Sequence, residues 1–231
     1  MSTSRQDGWK RVLGSQETRE LLSDGADIAT GALIESEFLG QIPVFGLAFK
    51  SYNAVQSARD QVFTNKLARF LQEANQMEGE ERADLAEKFE DPKEADRFGE
   101  TMIILIERAE DPDKPRIFGR LLVACAKGHF DVPDLMRLCK MVNRAISEDF
   151  AYLKNLRQGK RQRKNKDVEQ SLSTAGFLRA QGIEQATLDD IGSGVIDYDV
   201  TAYGKFLVDL GLSEGPVPEY VPAPDPFGFN G

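Results

Sequence analysis

Apolar residues recur at Leu22, Ala26, Ala29 and Leu33 on one side of a helical projection and at Ile28, Ala32 and Leu39 on another. Residues 15–38 therefore predict a helix with no wide solvated face. Gly25, Ala26, Ala29, Gly31 and Ala32 are small enough to let a second helix approach closely. The segment "GQIP" then breaks the pattern, because Pro43 fixes φ and lacks a donor, which suits the first turn of a new helix. A second, long helix is predicted over 43–76, with Phe45, Ala48, Tyr52, Val55, Val62, Phe63, Leu67, Phe70 and Leu71 at three- and four-residue spacing. Arg59 falls on the same stripe, where it snorkels or meets an acid.

Shorter elements follow with clear punctuation. "EERADLAEKF" predicts one helix, "DPKEADRFGETMIILIERA" a second with Asp91 as N-cap and Pro92 at its first position, and "DKPRIFGRLLVACAKG" a third ended by Gly128. After Asp131 a single helix is expected to run to about residue 156, with Leu135, Leu138, Met141 or Val142, Ala145, Ile146 and Leu153 as its core stripe. Residues 15–158 thus read as an all-α domain behind a flexible N-terminus, 1–14. Residues 159–167 read as a basic linker or helix extension. A small α+β unit follows over 168–212: a helix "VEQSLSTAGFLRA", two strands in "IEQATLDDIGSGVIDYDV" turning at "GSG", and a helix "TAYGKFLVDLG" capped by Thr201 and stopped by Gly211. Five prolines in 213–231 predict an extended tail. The expected fold is mainly α: a helical bundle with a small winged-helix-like helix–β-hairpin–helix unit.

Composition narrows the class. The chain of 231 residues is 41% hydrophobic and 29% charged, enough for one sizeable core in a soluble protein. Its net charge of −9 argues against overall affinity for nucleic acid. The cations are nevertheless clustered: Lys154, Arg157, Lys160, Arg161, Arg163, Lys164 and Lys166 stand in a stretch without an acid, so a polyanion would bind locally. Cys125 and Cys139 both lie in helical apolar patterns and are too few for a disulfide scaffold, which points to a reducing cytosol. The N-terminus lacks the apolar run of a signal peptide.

The passages "IPVFG…SARDQVFTNKLARFL" and "FGETMIILIERAEDPDKPRIFGRLLVACAKGHFD…DLMRL" resemble a widespread family of uncharacterised bacterial helical proteins. The matching positions are Ile42, Pro43, Arg59, Asp60, Phe63, Lys66, Gly99, Glu100, Asp113, Lys114 and Gly119, within roughly 40–155. The ending "STAGFLRA…YDVTAYGKFL" is similar to that of abortive-infection alpha proteins and winged-helix modules. The resemblance implies a setting near antiphage or mobile-element functions and no particular biochemistry.

Candidate chemistry is sparse. His129, the single histidine, sits in a helix-to-helix turn, where a connector role outweighs that of a general base. One histidine and two separated cysteines make a zinc site improbable, and no metal or other cofactor is expected. "GSG" lies between strand-like runs and not before a helix, so it is no phosphate cradle. These features argue against an enzyme. Lys160, Arg161, Arg163 and Lys164 are the candidate contacts for nucleic acid or another anionic ligand, although the neighbouring hairpin sequence is acidic. The apolar passage 32–55 is the candidate membrane or partner contact, through Leu39, Pro43, Phe45, Leu47 and Phe49, with Glu35 and Glu37 beside them. Each acid costs about 2.5–3.5 kcal/mol at a helix centre, which disfavours a constitutive span and leaves conditional insertion, with the carboxylates facing a pore or partner. The expectation is a non-enzymatic effector, cytoplasmic at rest and membrane-associated on activation, homo-oligomeric, with a protein partner. The alternative is a nucleic-acid-binding regulator.

Overall fold

The computed structural model describes residues 58–89, 91–181 and 197–221. The predicted helix 15–38, the start of the second helix, Leu39, Pro43, Phe45, Leu47, Phe49, Glu35 and Glu37, the "GSG" turn and the tail beyond Val221 lie outside them. Among the described residues the protein is mainly α-helical, with eight α-helices and one two-stranded sheet.

The order is α1 (Ala58–Ala74), α2 (Gly79–Glu87), α3 (Pro92–Arg108), α4 (Lys114–Ala126), α5 (Val132–Arg144), α6 (Phe150–Arg157), α7 (Lys166–Ala175), β1 (Leu178–Ala180), β2 (Tyr198–Val200) and α8 (Ala202–Phe206), which continues into one wide turn, Leu207–Gly211. Helix α4 is the axle. Every one of its residues except Arg116 is buried, as its nearly uniform apolar sequence requires. Helix α1 lies along it and presents Phe63, Leu67, Phe70 and Leu71, while Val62, expected on the stripe, faces solvent. The two helices touch backbone to side: a Cβ added at Gly119 would stand 2.4 Å from the Phe70 carbonyl oxygen. Phe98, Met102 and Ile106 of α3 and Leu135, Leu138 and Val142 of α5 complete the core.

Local punctuation follows the sequence closely. The Asp91 carboxylate accepts from Lys93 N, that of Asp131 from Asp134 N, and the Thr201 hydroxyl from Gly204 N. Gly128 ends α4 at φ +86°, with His129 N donating to Ala124 O.

Two expectations are corrected. The helix predicted from Asp131 to about 156 is cut after Arg144, where Ala145 turns extended and Ser147–Asp149 forms a 3₁₀ turn before α6. Lys114 Nζ donates to the Asn143 and Ala145 carbonyls at 3.0 and 2.7 Å, taking groups that a continuing helix would need, and Ile146 becomes exposed. The helix predicted to run to Ala180 is cut as well: β1 lies at its end, pairing antiparallel with β2 as Leu178↔Val200 and Ala180↔Tyr198, while the first of the two strands expected within 183–200 falls outside the described residues. Helix α7 stops earlier because Gly176 takes φ +94° beside the Met141 methyl. Of the two readings of 159–167, linker or helix extension, the structure has the segment as a connection between α6 and α7. Gly159 at φ +66° closes α6, with Lys160 N donating to Asn155 O, and Asn165 caps α7.

The C-terminal unit packs onto α5. Tyr203 Oη donates to Asp134 at 2.6 Å beneath the Arg137 guanidinium, and Phe206 tilts against Phe130 at 5.1 Å.

Candidate functional site

The densest polar arrangement is built around Arg120, one charge in the apolar run "IFGRLLVACA". Its side chain is 2% exposed. A guanidinium cannot shed its charge, so burial demands acceptors. Nε donates to Leu210 O at 3.0 Å, Nη1 to Gly215 O at 2.8 Å and to Glu73 Oε2 at 3.3 Å, and Nη2 to Ser213 Oγ at 2.8 Å. Glu73, also buried, accepts further from Arg116 Nε at 2.8 Å and Gln76 Nε2 at 2.7 Å. One side chain of the central helix thereby joins α1 to the start of the C-terminal tail.

Beyond this anchor the tail runs extended over the end of α4. Val217 enters the core at 3% exposure. The Pro218 carbonyl accepts from His129 Nε2 at 2.8 Å, which places the imidazole proton on that nitrogen. Glu219 pairs with Lys127, whose ammonium also meets Glu81 of α2 at 3.1 Å. The hydrogen bond to Glu219, reinforced by Glu81, holds the lysine above its ordinary value against a smaller desolvation cost. Tyr220 stands edge-on to the His129 ring at 5.6 Å. A shallow polar cleft of about 380 Å³, lined by Asp84, Glu87, Lys88, Ala126, Lys127 and Gly128, borders this seat.

Lys160, Arg161, Arg163 and Lys164 are all exposed on the α6–α7 connection, whose centre is tied down by Gln162 Nε2 donating to Tyr152 O at 3.1 Å. They are not equivalent. Lys164 pairs with Asp197, and upstream Arg157 pairs with Asp209 at 2.8 Å, whereas Lys160, Arg161 and Arg163 have no ion-pair partner among the described residues.

The cysteines are buried thiols. Burial pushes Cys125 up to about 12 and Cys139 higher still, so neither supplies a thiolate near neutrality. Among the described residues no group of three or more His, Cys, Asp or Glu side chains could hold a metal ion, and no helix is long and apolar enough to cross a membrane. Sequence reasoning identified the basic run but not the Arg120 anchor. A solitary arginine at a buried phase of an apolar helix, next to a glycine, was the available signal. Nothing in sequence marked its acceptors, three of which, two main-chain carbonyls and the Ser213 hydroxyl, lie about ninety residues away.

No protein-family model matches this chain, and neither the curated proteins nor the solved structures contain a significant match.

Proposed function

We propose that this chain is a non-enzymatic effector or interaction protein, cytosolic at rest and oligomeric, whose apolar stretch 32–55 engages a membrane or a partner protein after a signal. The resemblance in the sequence suggests antiphage defence as the setting. The observation that carries the proposal is the place of Arg120 between Glu73 and the tail. Helix α1, which bears Glu73, is where the chain arrives from 32–55, so the buried charge couples the C-terminal tail to the element that follows the apolar stretch. Releasing the tail would strip acceptors from a buried guanidinium and load the Glu73 contact, which gives a signal at the tail an energetic route to α1.

Expression toxicity and membrane fractionation test this together. Leu47→Gln is expected to abolish toxicity or membrane association with little change in melting temperature. Glu35→Gln or Glu37→Gln removes a charge from the stretch and is expected to raise activity, read as liposome leakage by purified protein. If neither the wild type nor the glutamine variants fractionate with membrane or leak liposomes, and Phe45→Ala loses function only in step with a destabilisation of about 2–5 kcal/mol, the stretch is core and the membrane reading fails.

A second reading, a nucleic-acid-binding regulator, is favoured by Lys160, Arg161 and Arg163, which are exposed and without an ion-pair partner among the described residues.

A further inference from the structure

The tail does more than cross the surface; each residue from Val217 to Tyr220 meets a different kind of complement. Val217 fills an apolar slot, the Pro218 carbonyl accepts a hydrogen bond from His129 Nε2, Glu219 meets Lys127, and Tyr220 rests its ring against imidazole. Extended peptides are recognised in this manner, by main-chain hydrogen bonds for affinity and by alternating side-chain complements for specificity. The prolines at 216 and 218 restrict the segment before it binds, which lowers the ordering cost of an extended ligand.

The attachment also divides into two parts. Arg120 holds Ser213 and Gly215, and the peptide-like contacts begin only after them. Between the two stands Gly215 at φ +82°, where a Cβ would meet nothing within 4 Å. The segment from Pro216 onward can leave its seat by rotation at Gly215, which turns the Gly215 carbonyl away from Arg120 Nη1 while the Glu73, Leu210 and Ser213 contacts of the anchor stay in place. Lys127 keeps its second acid, Glu81, when Glu219 departs, so the vacated seat is not left with an unpaired ammonium.

We infer that the seat formed by Lys127, Gly128, His129 and the slot for Val217 is a recognition site for an extended partner peptide of the pattern Val-Pro-acidic-aromatic, occupied in cis by residues 217–220 of this chain. The cis tail competes with the partner at an effective concentration of the order of millimolar, so a partner binds appreciably only when the tail is displaced or the partner is abundant. The cleft that shares Lys127 and Gly128 gives a longer partner peptide further polar surface. The inference is independent of whether residues 32–55 meet a membrane.

The test uses the full chain and a fluorescent peptide with the sequence of residues 214–221. In Val217→Asp a carboxylate replaces the buried apolar anchor and undocks the tail. That variant is expected to bind the peptide at least tenfold more tightly than the wild type by fluorescence anisotropy. A peptide carrying lysine in place of Glu219 is expected to bind it at least fivefold more weakly. Glu219→Lys, at a position 75% exposed, leaves the fold intact and is expected to bind the wild-type peptide two- to threefold more tightly than the unaltered chain, which keeps the test decisive should Val217→Asp fail to fold. Equal affinity for wild type and variants, or no binding to a cooperatively melting Val217→Asp protein, overturns the site. Wild-type chains that exchange tails and elute as a dimer, with the free peptide unable to compete, overturn the partner peptide in favour of a second copy.

Discussion

Arg120 shows how much one side chain can decide. Its fork reaches Glu73, two main-chain carbonyls and a hydroxyl, so Arg120→Met leaves the buried Glu73 to Arg116 and Gln76 alone and frees the tail together, at an expected cost of about 3–5 kcal/mol in urea unfolding. Arg120→Lys is expected to recover less than half of that, because a point ammonium cannot span acceptors set out for a planar fork. If Arg120→Met unfolds at the wild-type urea midpoint, the anchor contributes nothing. Tyr152 yields a pH prediction. Burial, followed by the hydrogen bond it gives Glu169, pushes its hydroxyl up to about 12. An unfolded tyrosine titrates near 10, so the folded chain holds its proton more tightly, and the resulting stabilisation is complete below about pH 10 and lost as pH rises through about 12. The stability gap between wild type and Tyr152→Phe should therefore narrow from pH 9 to pH 12. A gap independent of pH across that window would show that folding does not raise the Tyr152 hydroxyl.

At the scale of elements, the decisive events are helix ends, and they divide by where their cause lies in the chain. Ends fixed by a neighbour were legible: Asp91, Asp131, Thr201 and Gly128 each cap or close a helix as their local sequence requires. The end of α5 was not, because its cause is Lys114, about thirty residues away, whose Nζ takes the Asn143 and Ala145 carbonyls. The apolar period runs on through Ile146, so periodicity alone carries the helix too far. Gly176 misled for a related reason: a glycine inside an apolar stretch reads as tolerated, and only the positive φ and the Met141 methyl beside it make it a stop that launches β1. Burial of Lys114 outweighs the pull of Asp111, Glu110 and Glu148 and holds its amine below the usual lysine value. Lys114→Met removes that desolvation cost but leaves two carbonyls short of a donor, at about 1–3 kcal/mol for each that water cannot reach. The expected result is a net loss of stability with more helical circular dichroism per residue, as α5 grows toward α6. A stabilised variant of unchanged helicity would show that Lys114 does not set the break.

At the scale of the whole molecule, charge settles what the basic segment can do. The chain as a whole is acidic, at −9, so a polyanion approaches against the general field and is held only by cations that no acid already occupies. The sequence showed the cluster but could not show its depletion. Asp197 and Asp209 lie thirty to fifty residues beyond their partners, and only folding brings them to Lys164 and Arg157. Three of the four candidate residues, Lys160, Arg161 and Arg163, therefore remain to release counterions from a nucleic acid. For a duplex each neutralised phosphate contributes about 0.9 to the slope of log K against log salt, so replacing those three by glutamine is expected to reduce the slope by about 3. A single-stranded ligand contributes about 0.7 per phosphate, so the same variant should then lose about 2. Lys164→Gln is expected to change the slope by less than any of the three, because its ammonium exchanges Asp197 for phosphate and not solvent for phosphate. Titration of a labelled oligonucleotide from 50 to 200 mM salt measures the triple replacement, its three single counterparts and Lys164→Gln. A slope unaffected by the triple replacement makes the segment a solvated connector and removes the regulator reading. An equal contribution from Lys164 would mean that Asp197 yields its partner on binding, joining the α6–α7 connection to the strand that follows Asp197.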